Sequence, residues 1–288
     1  MSQPKPYLVS LSRKHPGKRA FITGAGNGLG LAFAMELAAA GWTIGITDLN
    51  KDSLNAAAQM IQNSGGTPVP YLFDVTDYDK FRDSVNNFQQ LHGGIDIGIN
   101  NAGIGCGGFI HELPIESYRK VIEVNLMGVI NGCHLFVPIM RLQKTGHILN
   151  IASAAAFVAA PRMSAYSSSK AGVVALSESL RSELVDDGVV VSVLMPTYVR
   201  TNIGRDSLGS IADNQLAQQL VEQSQLTAET VAAVTLQKMN AGALYVVLPA
   251  EAEFLWRFKR FMPERFWRFI AREATRRVAL LQKDSTLR

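Results

Sequence analysis

The sequence predicts a single doubly wound α/β domain, a seven-stranded parallel sheet with helices on both faces, followed by a C-terminal helical extension. Two observations predict it. From Arg19 onward, short runs rich in Val, Ile and Leu alternate with longer segments of helical period. This alternation is the pattern of a parallel sheet covered on both faces. A Gly-rich turn joins the first run to the first amphipathic segment.

Strands are predicted at Arg19–Thr23, Thr43–Thr47, Pro68–Phe73, Ile95–Ile99, His147–Ile151, Val189–Leu194 and Leu244–Leu248. Between them, helical period places helices at Leu29–Ala40, Lys51–Asn63, Tyr78–Leu91, Ile115–Met140, Ala165–Asp186 and Ala228–Met239. The polar, Gln-rich stretch from Asn202 to Leu226 is long for a loop and predicts a mobile helical flap. No repeat or composition break precedes the tail, so residues 1–250 form one domain and residues 251–288 the extension.

With 47% hydrophobic and 18% charged residues, the chain has ample material for a buried core. A formal net charge of +4 is too small to argue for nucleic acid, and its distribution is more informative. From Glu251 to Arg288 ten Lys/Arg face five Asp/Glu, which leaves the preceding 250 residues at −1. Cys106 and Cys133 show neither a disulfide framework nor a zinc spacing, and the five histidines are scattered, so no metal site is expected. Met1 to Lys18 has no continuous apolar core, and no stretch approaches the roughly 20 apolar residues of a bilayer span. A cytoplasmic protein is expected, with contact between the tail and a membrane surface left open.

The first strand runs into Thr23, Gly24, Ala25, Gly26, Asn27, Gly28, Leu29 and Gly30, followed at once by a helix. Glycine lets the backbone turn tightly and approach a pyrophosphate, and the helix N-terminus offers free N–H groups and partial positive charge to it. Glycines also close ordinary strand-to-helix connections, but the strand-turn-helix context favours a dinucleotide. Eighteen residues after Gly30, at the end of the second strand, Asp48 can accept from both adenosine ribose hydroxyls and would repel a 2′-phosphate. No cation sits in the turn or directly beside Asp48, which favours NAD over NADP. The competing assignment is that Asp48 or Asn50 caps the helix beginning near Lys51.

With the turn in place, further motifs fall in order: Asp74-Val75, Asn100-Asn101-Ala102-Gly103, Asn125, Ser153, Tyr166-Ser167-Ser168-Ser169-Lys170, and Pro196 to Thr201. From about Lys18 to Leu248 the chain resembles the short-chain dehydrogenase/reductases, in the branch with Thr-Gly-x-x-x-Gly-x-Gly. The resemblance implies a Rossmann-type fold in which Asp74 and Val75 contact the adenine, and Asn101, Ala102 and Gly103 line the cofactor cleft. It also implies that Pro196, Val199 and Thr201 hold the nicotinamide carboxamide, that Tyr166 and Lys170 lie against the cofactor, and that the protein is a homodimer or homotetramer. The family usually has Gly after the proline, and this chain has Thr197.

Tyr166 and Lys170 are four residues apart, on one face of a predicted helix. An ammonium beside a phenol favours the phenolate, so Lys170 is expected to lower the Tyr166 pKa and make it a usable base for a carbinol proton. Ser153, thirteen residues earlier and just past a strand end, can polarise the substrate oxygen. By resemblance, Asn125 connects Lys170 through water to solvent. Taken alone, the Ser-rich segment is equally a capped, partly exposed helix, and Asn125 a core amide bonding backbone.

Residues expected near the substrate are apolar or small: Ile104, Gly105, Cys106, Phe109, Ala154 to Ala156, Phe157 and Met163. They favour a lipophilic alcohol or ketone. Arg162 and Arg205 can meet an anionic group or lie solvated at the surface. Beyond Pro249, Phe254, Trp256, Phe261, Phe266, Trp267 and Phe269 interleave with Arg257, Lys259, Arg260, Arg265, Arg268 and Arg272, and Pro263 is expected to break the helix. The tail either packs on the domain or a second subunit, or lies in the headgroup region of an anionic membrane. The sequence therefore predicts an NAD(H)-dependent oxidoreductase, against a competing reading as a non-catalytic dinucleotide-binding scaffold.

Overall fold

In the computed structural model, residues 5–201 and 207–272 are described. They open with a helix that the sequence did not predict, α1 (Pro6–Lys14), which buries only Leu8 and Leu11. It is tied to the domain by Lys5 and Tyr7 on Glu36 (both 2.6 Å) and by the Trp42 indole donating to Ser12 Oγ (3.1 Å). The first half of the domain then runs β1 (Arg19–Thr23), α2 (Gly28–Ala38), β2 (Thr43–Asp48), α3 (Lys51–Asn63), β3 (Thr67–Leu72), α4 (Tyr78–His92) and β4 (Ile97–Asn100). A short β5 (Cys106–Gly107) follows, then α5 (Ile115–Ile122), a π-helical turn (Glu123–Met127), α6 (Gly128–Gln143), β6 (Gly146–Ile151), α7 (Ala155–Val158) and α8 (Ser164–Glu183). The chain continues through a 3-10 turn (Val185–Asp187), β7 (Val189–Pro196), β8 (Leu208–Gly209), α9 (Ile211–Glu222), α10 (Ala228–Asn240), β9 (Tyr245–Leu248) and α11 (Ala250–Phe261).

The main sheet has the order β3-β2-β1-β4-β6-β7-β9, and every pairing in it is parallel. Side chains alternate between its faces, as strand geometry dictates. Ala20 and Ile22 join the cluster under α1, α2, α3 and α10, while Phe21 between them joins the cluster under α4, α6 and α8. The edge strand β3 carries Pro68 and Pro70 and is the least buried, the position in a sheet where missing N–H donors are tolerated.

The predicted helix Ile115–Met140 is not continuous. The π-helical turn inserts one residue between α5 and α6 and turns Asn125, fully buried, toward the Ile104 backbone. By length and mean hydropathy (1.4) the run from Ile115 to Gln143 is sufficient to cross a bilayer. Instead it is a core helix: Val129, Cys133, Phe136 and Met140 are buried in the cluster over the sheet. Of the expected flap, residues 202–206 lie outside the described residues, and α9 forms its helical part. The tail breaks at Met262, one residue before Pro263, and residues 263–272 are again helical; residues 273–288 lie outside the described residues.

At the N-terminal edge of the strands, opposite the Gly-rich turn, lies a cavity of about 160 Å³ lined by Leu11, His15, His147, Val190 and Met239. Burial pushes the His147 imidazole down to about 3 and lowers His15 as well. Both rings are therefore neutral in the folded protein at pH 7, whereas an unfolded histidine titrates near 6.5. His147 thus contributes stability that is fully present above about pH 6.5 and is lost as pH falls toward 3. The urea midpoint is expected to fall between about pH 6.5 and 5, with a slope approaching ~1.4 kcal/mol per pH unit from this ring. His147→Asn should flatten that slope, and a variant curve parallel to the wild type would remove His147 as its cause.

Candidate active site

Strand order reverses between β1 and β4, and in open parallel sheets that switch point opens a crevice at the C-terminal strand ends. The Gly-rich turn sits there. Gly24 and Gly28 take φ of +62° and +54°, which glycine adopts without strain. A Cβ on Gly30 would collide with the Gly24 carbonyl oxygen, so the turn can only close this tightly around glycine. Asn101, just past β4, donates from Nδ2 to the Thr23 and Gly24 carbonyls (both 2.9 Å), while Thr23 Oγ1 accepts from the N–H groups of Asn101 and Ala102 (3.0 and 3.1 Å). Asn27 does not cap α2 with its side chain and the first turn of α2 holds no acid, so its leading amides face the crevice uncapped. Glycine cradle and amides together fit a pyrophosphate.

Asp48 ends β2 with its carboxylate turned to that cradle, accepting from Gly26 N–H and Asn50 N–H (both 3.0 Å). The helix that follows is capped by Asn50, which accepts from Ser53 N–H, so Asp48 is not the cap. Asp74 accepts from the Thr76 N–H and hydroxyl; burial works against its charge, but these bonds and Lys120 hold the carboxyl below its usual range. Val75 is buried against α6, where its carbonyl accepts from Asn131. Thr201 lies against Gly28, next to buried Val199. Thr197 has no positive φ, and its N–H bonds the Leu248 carbonyl (2.9 Å), so the chain needs no glycine after Pro196.

Tyr166, Ser153 and Lys170 come together across this crevice. Ser153 Oγ accepts from Ala155 N–H (3.2 Å) and lies in hydrogen-bond contact with the Tyr166 phenol. Lys170 Nζ is 5.8 Å from the Tyr166 ring centre and donates to the Ile151 carbonyl (2.8 Å). Asn125 both accepts from Ile104 N–H (2.8 Å) and donates to Ile104 O (2.9 Å), and it reaches Ser169 Oγ at 3.3 Å. Gly103 lies against both the Asn125 carboxamide and Lys170 Nζ.

The electrostatics differ from the sequence expectation. Burial pushes the Tyr166 phenol up to about 12, with the Ser153 bond working against it and Tyr198 adding to it. Burial also pulls Lys170 down to about 8. Desolvation outweighs any help Lys170 gives the phenolate, so the folded site holds the phenol protonated at pH 7.

Residues 18–209 match the model of the short chain dehydrogenase family. The chain belongs to that family. Relatives include a probable oxidoreductase, EphD, of Mycobacterium tuberculosis, 38% identical over 63% of this chain; the chain spans only 31% of that relative's length. The 3-oxoacyl-[acyl-carrier-protein] reductase FabG of Thermotoga maritima is 33% identical over 64% of this chain and 75% of its own length. A crystal structure of a short-chain dehydrogenase/reductase from Burkholderia phymatum in complex with NAD superposes with a TM-score of 0.82 at 29% identity, covering 86% of this chain and 94% of that one. Short-chain dehydrogenases are oxidoreductases that use a nicotinamide cofactor, and this chain carries their Rossmann-like fold.

Beside the Tyr166 ring, Cys106, Val121 and Ala165 form a small apolar cluster with Ile104, Leu113, Tyr118 and Leu208. Ala154 and Phe157 turn into the main core instead. Arg162, at φ +66°, is not available to a substrate anion: it clasps Asp213 of α9 through two bonds (2.6 and 2.7 Å) and lies over the Phe109 ring (4.3 Å). Arg205 lies outside the described residues. Pairing of β5 with β8 reinforces the same junction. The sequence reading missed Asp213, Tyr198 and Asn131; partners 51 residues apart leave no local signal.

This ion pair, with Asp213 nearly buried, is expected to hold α9 closed. Asp213→Asn should raise the rate of limited proteolysis within 207–222 about tenfold, the equivalent of ~1.4 kcal/mol. An unchanged cleavage rate would mean that other contacts hold the segment.

Proposed function

We propose that this short-chain dehydrogenase transfers a hydride between NAD(H) and the carbinol or ketone carbon of a lipophilic small molecule, with Tyr166 carrying the proton. The observation behind this reading is the meeting of Tyr166, Ser153 and Lys170 beside an apolar floor and the glycine cradle. Gly24, Asn27, Gly28, Leu29 and Gly30 would hold the pyrophosphate, Asp48 the adenosine ribose, and Asp74 with Val75 the adenine. Asn101, Ala102 and Gly103 would line the cleft, with Pro196, Val199 and Thr201 on the carboxamide. When bound, the nicotinamide supplies the hydride acceptor or donor.

The residues of the chain divide the remaining work. Ser153 polarises the substrate oxygen and holds it within reach of the phenol. Tyr166 gives its proton to the developing alkoxide in reduction and takes it back in oxidation. Lys170, fixed on the Ile151 carbonyl, still carries its charge at pH 7 and favours the phenolate as the proton leaves. Asn125 positions the Ile104 backbone and α8 through Ser169. A scaffold without chemistry has no use for this set. The apolar floor, and the engagement of Arg162 by Asp213, support a lipophilic substrate over a charged one.

Tyr166→Phe is expected to lower turnover by roughly 10² to 10⁴-fold at unchanged cofactor affinity, and unchanged turnover of a true substrate would end this mechanism. Because burial keeps the phenol protonated through neutrality, carbonyl reduction should be flat with pH there. Alcohol oxidation needs the phenolate and should rise with pH, by up to about tenfold per unit when hydride transfer limits. The choice of NAD rests on Asp48, whose carboxylate beside Gly26 would repel a 2′-phosphate. Asp48→Ser should weaken NADH and strengthen NADPH binding in fluorescence titration, each by about tenfold. A variant with unaltered preference would remove Asp48 from that role.

A further inference from the structure

Beyond β9 the aromatic side chains of the tail divide between two faces. Trp256 packs on Tyr245 with tilted rings (4.8 Å between centroids), Ala252 is buried, and Phe266 is fully buried with Phe258 at 5.9 Å. Ala252 and Trp256 seat α11 on the domain, while Phe266 joins the two helical pieces of the tail through Phe258. On the outer side Phe254 is 71% exposed, Phe261 83%, Phe269 48% and Trp267 38%. Phe254, Arg257 and Phe261 are spaced i, i+3 and i+7, so they share one face of α11. Arg260 lies inward over the Trp256 and Tyr245 rings (5.0 and 5.5 Å), whereas Arg257, Arg265, Arg268 and Arg272 are exposed on the same stretch as the outer rings.

We propose that this outer face docks on an anionic lipid surface, Phe254, Phe261 and Phe269 entering the boundary between headgroups and acyl chains while the arginines meet lipid phosphates. The proposal does not depend on the hydride-transfer reading. Charge complementarity carries it: in the described part of the tail, residues 251–272, six Lys/Arg face three Asp/Glu, a net +3 on a body of −1. A second copy is a poor occupant, because a two-fold contact would set this cationic face against itself. Of the acids in this stretch, Glu253 is already engaged by Arg257 and Lys238, which leaves the exposed Glu251 and Glu264 against the arginines. An acidic protein surface would meet the arginines but give three phenyl rings nothing to enter.

The location gives the contact a use. α11 begins where β9 ends, at the edge of the sheet that carries the crevice, and packs against α7, which follows Ser153. Docking by this face therefore sets β9 and α7, the elements that α11 packs against, next to the lipid surface.

The test is co-sedimentation of the full-length protein with vesicles of phosphatidylcholine alone and of phosphatidylcholine mixed with phosphatidylglycerol. Partition into the anionic vesicles is expected to exceed that into phosphatidylcholine by about tenfold or more and to fall with added salt. The pairs Phe254→Ser/Phe261→Ser and Arg265→Glu/Arg268→Glu should each reduce it by about tenfold while leaving the circular dichroism spectrum unchanged. No binding to the anionic vesicles would overturn the proposal. So would binding undiminished in both pairs, or a dimer that these substitutions dissociate in the absence of any lipid partition.

Discussion

The crevice of this protein depends on how closely the turn after β1 can approach the end of β4. One carboxamide controls that approach: Asn101 binds two successive carbonyls of the turn, and Thr23 returns the favour by accepting two backbone N–H groups from the opposite side. Four part-buried backbone groups are satisfied by two side chains. Because Gly30 lacks a side chain, α2 can start directly against the turn, and its leading amides are aimed before any ligand arrives. The carboxylate of Asp48 is fixed by the same turn through Gly26.

Burial sets the chemistry as firmly as spacing does. A phenol and an amine placed one helical turn apart suggest an ion pair that ionises the phenol. In the folded protein both groups have left water, and each is driven toward its neutral form. The amine spends a hydrogen bond on the Ile151 carbonyl and faces the ring, not a carboxylate. The resting site therefore holds a proton to give, and the serine beside the phenol is the group that opposes this.

The strands were legible in the sequence because burial on both faces leaves unbroken apolar runs, and six of the seven main-sheet strands carry that pattern. The exception, β3, carries two prolines and an exposed face, and its bounds shifted by one residue. α1 left no comparable trace, since two leucines in nine residues are enough to seat a short helix on an existing core. The glycine turn, Asp48, Ser153, Tyr166 and Lys170 could be singled out because the proposed chemistry calls for set residue types at set spacings, and the fold does bring the last three together. What the spacing could not carry was solvent exposure, which reversed the expected ionisation of Tyr166. Nor could it carry the clasp of Arg162 on Asp213, whose partners meet only after the chain has folded.

The π-helical turn between α5 and α6 has a consequence for how this chain can change. Its extra residue lets Asn125 point at the Ile104 backbone while Val129, Cys133, Phe136 and Met140 keep their places over the sheet. Removing one residue there would restore a regular helix and rotate everything upstream by about 100° relative to everything downstream. Either the carboxamide or the apolar stripe would then face the wrong way. Insertions and deletions should be purged from this short span, while single substitutions on its solvent side pass freely: the length of the segment is under tighter selection than its letters.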